Sequence, residues 1–72
     1  MPLTRRQREL VALLIAGPVD DQALADALCV TVTTAHWHLG NVMAKLEVHT
    51  RAAVISYAVN HGTVVDGLWQ PT

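Results

Sequence analysis

Helix-start signals stand at Thr4, at Asp20 or Asp21, at Thr31 and at Thr50, and their close spacing leaves room for little but short helices. A Thr or Asp side chain at such a point accepts a hydrogen bond from a backbone N–H that the first helical turn cannot satisfy by itself. Thr4 is followed three positions on by Gln7, the pattern of a reciprocal capping box. Leu10, Leu13 and Leu14, with Val11 at the margin, then recur at helical spacing, and Gly17-Pro18 stops the segment. The second cap opens a short helix over 22–28 that buries Leu24, Ala25 and Leu28, and Cys29-Val30 reads as a tight turn. Thr31 opens a longer helix, Val32–Leu46. Thr50 opens a fourth, about Arg51–His61, with Val54, Ile55 and Ala58 on one side and Gly62 as its stop. The last ten residues carry Gly67 and Pro71 and read as irregular. The expected architecture is all-α: a compact four-helix domain over 1–62 and a C-terminal tail over 63–72. Its second and third helices lie in tandem about a three-residue turn, the outline of a helix-turn-helix.

Size and composition narrow the function classes. A chain of 72 residues buries only about 60% of its unfolded surface, which leaves little for a closed enzyme pocket beside a core. Hydrophobic residues make up 51% and aromatics 4%, with no Phe, so the apolar content is mostly alanine and aliphatic and favours helices. A lone cysteine, Cys29, forms no internal disulfide. The longest apolar run, 10–16, falls well short of the ~20 residues that span a bilayer. No Gly-rich phosphate loop, paired carboxylates or Ser/His/Asp set is present. His36 and His38 stand two apart on one helix, about 200° around the axis, and cannot share a metal ion. The reading is of a cytoplasmic protein that is not an enzyme, with no cofactor, metal, membrane or small-molecule substrate.

The third helix carries the functional argument. At about 100° per residue, Ala35, His38, Leu39, Val42 and Leu46 form one broad stripe, the expected core face. Thr33, His36, Trp37 and Gly40 lie roughly opposite, facing solvent or a partner. A tryptophan on that side needs a reason, because large apolar groups are normally kept off exposed helix faces. It either packs on a neighbouring element or belongs to a contact surface for DNA or protein.

Across the chain the residues Leu3-Thr4-Arg5-Arg6-Gln7-Arg8-Glu9-Leu10, then Leu13-Leu14 and Gly17, resemble the opening of LuxR-type (GerE-like) helix-turn-helix domains. So do Ala25-x-x-Leu28-x-Val30-Thr31, Thr34-x-x-x-His38-x-x-Asn41 and Lys45-Leu46-x-Val48-x-x-Arg51. The resemblance runs from Leu3 to about Val64, and the order and spacing of these pieces are together specific. It implies a bacterial transcription-factor domain, nucleoid-associated, whose third helix enters the major groove of double-stranded DNA and whose fourth helix joins a homodimer. Carried over residue by residue, it implies base contacts at Thr33, His36, Trp37 and Gly40, and DNA-backbone contacts at Thr31, Thr34, Asn41 and Lys45. It places the dimer contact on Val54, Ile55 and Ala58.

Departures from the family pattern gather at the charges. His36 stands where a lysine is usual, Gln22-Ala23 where a Lys-Glu pair is usual, and Ala35 where valine is usual. One extra residue separates Gly17 from the second helix, and Asp20-Asp21 bring negative charge close to the DNA path. Gly40 brings no side chain to a base and costs its helix about 1 kcal/mol against alanine. The net charge is −1, so the chain as a whole is no electrostatic glue for DNA, although Arg5, Arg6 and Arg8 cluster at its start and could help hold the backbone. A histidine in place of lysine leads to the expectation that DNA binding strengthens between about pH 7.5 and 6. The alternative reading is a LuxR-type fold with weakened DNA binding that serves as a protein-interaction module, with a partner seated on Trp37.

Overall fold

Each of the four caps closes on its helix in the way the side chains dictate. The structure, a computed structural model, describes residues 3–17 and 20–72, so Pro18 of the Gly17-Pro18 stop lies outside the described residues. Thr4 caps α1 (Arg5–Ala16), and Gln7 returns the bond to the Thr4 N–H at 2.9 Å, completing the capping box. Asp20, rather than Asp21, caps α2 (Asp21–Leu28) by accepting from the Ala23 N–H at 2.7 Å. Thr31 caps α3 (Val32–Leu46) and Thr50 caps α4 (Arg51–His61). Between α2 and α3 the chain turns at Cys29, whose left-handed conformation (φ 59°) lets its N–H reach the carbonyls of Ala25 and Asp26.

The tail is not irregular. Gly62–Val65 forms β1 and Leu68–Pro71 forms β2, paired antiparallel with Val65 opposite Leu68. Asp66 and Gly67 between them both have positive φ, 53° and 76°, as the two-residue hairpin turn that suits twisted strands requires. Pro71 fits because it closes the last strand, where a missing N–H breaks no interior ladder. Gly62 is needed for a different reason: a Cβ there would press on the Gln70 carbonyl and stand 2.7 Å from two ring atoms of Trp69.

The core is a helical cluster of Leu10, Val11, Leu14, Leu24, Leu28, Leu39, Val42, Val54 and Ala58, with Trp69 inserted from the hairpin. The Trp69 indole is 4% exposed and its Nε1–H donates to the Ala58 carbonyl at 2.9 Å. The hairpin explains two departures from the periodic reading of the helices. Val11, marginal on the wheel, is fully buried because β2 packs along α1, while Leu13 is only half-buried. On α4, Val54 and Ala58 are 0% exposed, so they are core residues and have no surface to offer a second copy. Of the expected dimer contacts only Ile55 retains exposure, and it too packs against the core. The tail covers the inner side of α4 and leaves Ala52, Ser56 and Val59 exposed. Among the described residues no helix is long and apolar enough to cross a membrane.

Candidate nucleic-acid interface

Packing of α2 against α3 buries Ala35, Leu39 and Val42 and thereby turns the opposite side of α3 outward. Thr33, His36, Trp37 and Gly40 are all exposed, and Trp37 keeps 64% of its surface. His38 and Leu46, expected in the core, are half-buried at its edge. The His38 ring meets Trp37 edge-on, centroids 5.2 Å apart, which helps hold the indole upright on the helix. The indole lies mostly in solvent rather than in the core. Gly40 is open as well: nothing lies within 4 Å of where its Cβ would be. Gly40→Ala is therefore expected to stabilise the fold by about 0.5–1 kcal/mol, read as a rise in melting temperature; a fall would mean that the site is sterically occupied.

The flanking positions divide by what they already do. Thr31 and Thr34 are hydrogen-bonded to each other at 3.0 Å through their hydroxyls, at the start of α3 where backbone N–H groups gather. Asn41 is half-buried. Lys45 reaches back to α1 and donates to Gln7 Oε1 at 2.9 Å, the same oxygen that accepts from Thr4 in the capping box. That lysine thus ties the end of α3 to the start of α1.

Two of the amino-terminal arginines are tied to other parts of the fold. Arg6 binds Glu9 at 2.9 Å and the Leu28 carbonyl, fastening α1 to the helix-turn-helix. Arg8 donates to Gln70 Oε1 at 2.9 Å and fastens α1 to β2. Arg5, with a side chain 77% exposed and 3.7 Å from Glu9, is the most exposed of the three. Among the described residues no three His, Cys, Asp or Glu side chains gather as a metal site would need.

One contact on this face was not readable from helical periodicity. Asp21, the first residue of α2, accepts from His36 Nε2 at 2.8 Å through one carboxylate oxygen and from Arg51 at 2.6 Å through the other. The carboxylate joins α2, α3 and α4 at a single point. Hydrogen bonding from His36 first, then from Arg51, holds the Asp21 carboxyl below the ordinary aspartate value of 3.8. Because the folded-state value is the lower one, the contact contributes stability above the unfolded value and loses it as pH falls through the folded one. The melting temperatures of wild type and Asp21→Asn should therefore differ at pH 7 and converge below about pH 4. A gap that stays constant down to pH 2.5 would contradict this.

Residues 1–58 match the family of bacterial regulatory proteins known as the luxR family, or GerE. The chain belongs to the luxR family. It is similar to the transcriptional regulatory protein MctR of Rhizobium johnstonii, 40% identical over 63 residues that make up 88% of this chain and 29% of that protein. It is also similar to the response regulator protein VraR of Staphylococcus aureus, 37% identical over 62 residues, 86% of this chain and 29% of that protein. The Staphylococcus epidermidis VraR matches to the same degree. This chain thus spans less than a third of the length of these relatives. The luxR family is one of DNA-binding transcription regulators and not of enzymes. On the exposed side of α3, Trp37 is the one large apolar side chain left exposed among the described residues of that helix.

Proposed function

We propose that the chain is a sequence-specific DNA-binding regulator whose α3 enters the major groove. Thr33, His36, Trp37 and Gly40 face the base edges, and Thr31, Thr34, Asn41 and Lys45 flank the sugar-phosphate backbone. The observation that carries this reading is the fully open outer face of α3 in a chain of this family. Trp37 supplies apolar contact of the kind a thymine methyl accepts, and His36 and Thr33 supply hydrogen-bonding groups. At Gly40 the bare backbone allows the helix to approach the groove floor closely.

In this reading two copies bind two half-sites related by their own symmetry. With Val54 and Ala58 withdrawn into the core, the dimer face of α4 shifts to Ala52, Ile55, Ser56 and Val59, which follow helical spacing on its outer side. Val59, 60% exposed, is the apolar centre of that face.

Electrostatics here are lean. Each phosphate neutralised contributes about 0.9 to the dependence of log affinity on log salt, and Lys45 and Arg5 are the basic side chains closest to that role. Titrating a labelled random-sequence duplex by fluorescence anisotropy should give a salt slope of roughly one to three per bound copy, with binding weak at physiological salt. Absence of binding even at low salt would overturn the proposal.

A second reading rests on Trp37 itself. An exposed aromatic ringed by small residues and by few charges suits a protein hot spot, and a partner protein seated on it would leave the same face occupied. Binding of duplex that is insensitive to changes at Trp37 would favour this second reading.

A further inference from the structure

The Asp21–His36 contact decides which hydrogen-bonding group this chain brings to a base. A carboxylate is an acceptor only, and the bonds from His36 and Arg51 keep Asp21 ionised at neutral pH. The hydrogen in the 2.8 Å contact therefore sits on His36 Nε2. In a neutral imidazole one nitrogen donates and the other accepts, so Nδ1 holds a lone pair. Among the described residues no hydrogen bond engages Nδ1, and the side chain is 53% exposed. Among the described residues the charged groups facing the ring are Asp21 of α2 and, across that carboxylate, Arg51 of α4. Arg51 matters because it anchors the far oxygen of Asp21 at 2.6 Å and so fixes the direction from which the ring is held.

We propose that Asp21 is a positioning residue that locks His36 into its Nε2–H form, so that at neutral pH the chain presents a hydrogen-bond acceptor to the major groove at the position of His36. This rests on the DNA-reading function proposed above and names part of its specificity. In the major groove the acceptor's partners are the amino groups of adenine (N6) and cytosine (N4), whereas guanine offers only acceptors, N7 and O6. His36 then selects adenine or cytosine and disfavours guanine.

The test has two independent arms on the 72-residue chain. Long-range 1H–15N correlation of the free protein at pH 7.5 reads the His36 tautomer directly, without DNA; the Nε2–H form is expected, and its loss in Asp21→Asn with recovery in Asp21→Glu. An Nδ1–H form in the wild type would overturn the inference and leave DNA reading untouched. In the second arm, duplexes selected from a random pool are varied at the base facing His36, located by the position whose preference His36→Ala abolishes. A change from adenine or cytosine to guanine should weaken wild-type binding about fivefold at pH 7.5. That discrimination should shrink to less than about twofold in Asp21→Asn, whose melting temperature verifies folding. A guanine preference at pH 7.5, or none at any base facing His36, would overturn the inference while leaving the general reading intact. If no duplex binds the wild type, both fail together.

Discussion

Replacing Trp69 with alanine is expected to lower the melting temperature of the chain by roughly 15 °C or more, because loss of a buried tryptophan costs about 3–5 kcal/mol. A domain of this size has in total only about 4–10 kcal/mol to lose. The indole is the hairpin's entire contribution to the helical core, and it also donates to a carbonyl of α4. Its removal leaves that carbonyl and the walls of the site, from α1 and α4, without a partner. Trp69→Phe, which refills much of the volume but cannot donate, should cost clearly less. Gly62→Ala should resemble Trp69→Ala in kind, since the added Cβ meets the same ring. Thermal melting by circular dichroism checks all three. A Trp69→Ala shift under about 3 °C would mean that the hairpin is a loose appendage and that the four helices stand without it.

At the opposite tryptophan the pattern inverts. Trp37→Ala is expected to reduce affinity for duplex DNA about tenfold, the loss of roughly 1.4 kcal/mol of apolar contact. Its effect on stability should stay within about 0.5 kcal/mol, because the side chain touches little of its own fold. The two tryptophans thus separate folding from binding in one small chain. Anisotropy and melting measured on the same preparations read both quantities. Unchanged affinity in Trp37→Ala would move the function of this face from DNA to a protein partner.

How much of this was legible beforehand differs from element to element. Helix ends were legible because the caps are local chemistry: Thr31 and Thr50 open α3 and α4 at the residues where the structure starts them. The outward face of α3 was legible because helical period alone separates Ala35, Leu39 and Val42 from Thr33, His36 and Trp37. The hairpin carried a readable signal that composition obscured. Asp66-Gly67 between Val64-Val65 and Leu68-Trp69 is a two-residue turn between apolar pairs, but Gly67 and Pro71 drew attention as breakers. On α4, periodicity shows which side of a helix is apolar and says nothing of what covers it, so it does not reveal that Val54 and Ala58 lie in the core cluster with Trp69. Contacts between side chains distant in sequence, such as Asp21 with His36, Lys45 with Gln7 and Arg8 with Gln70, depend on how helices are placed. No local pattern encodes them.

The central claim is that DNA meets the outer face of α3. Its most direct test is a 1H–15N chemical-shift titration of the uniformly labelled chain with duplex DNA at low salt. The account predicts the largest changes at the amides of Thr33, His36 and Gly40 and at the Trp37 indole, with the Trp69 indole unmoved. Changes confined to α4 and the hairpin, or no change at any residue of α3, would contradict it.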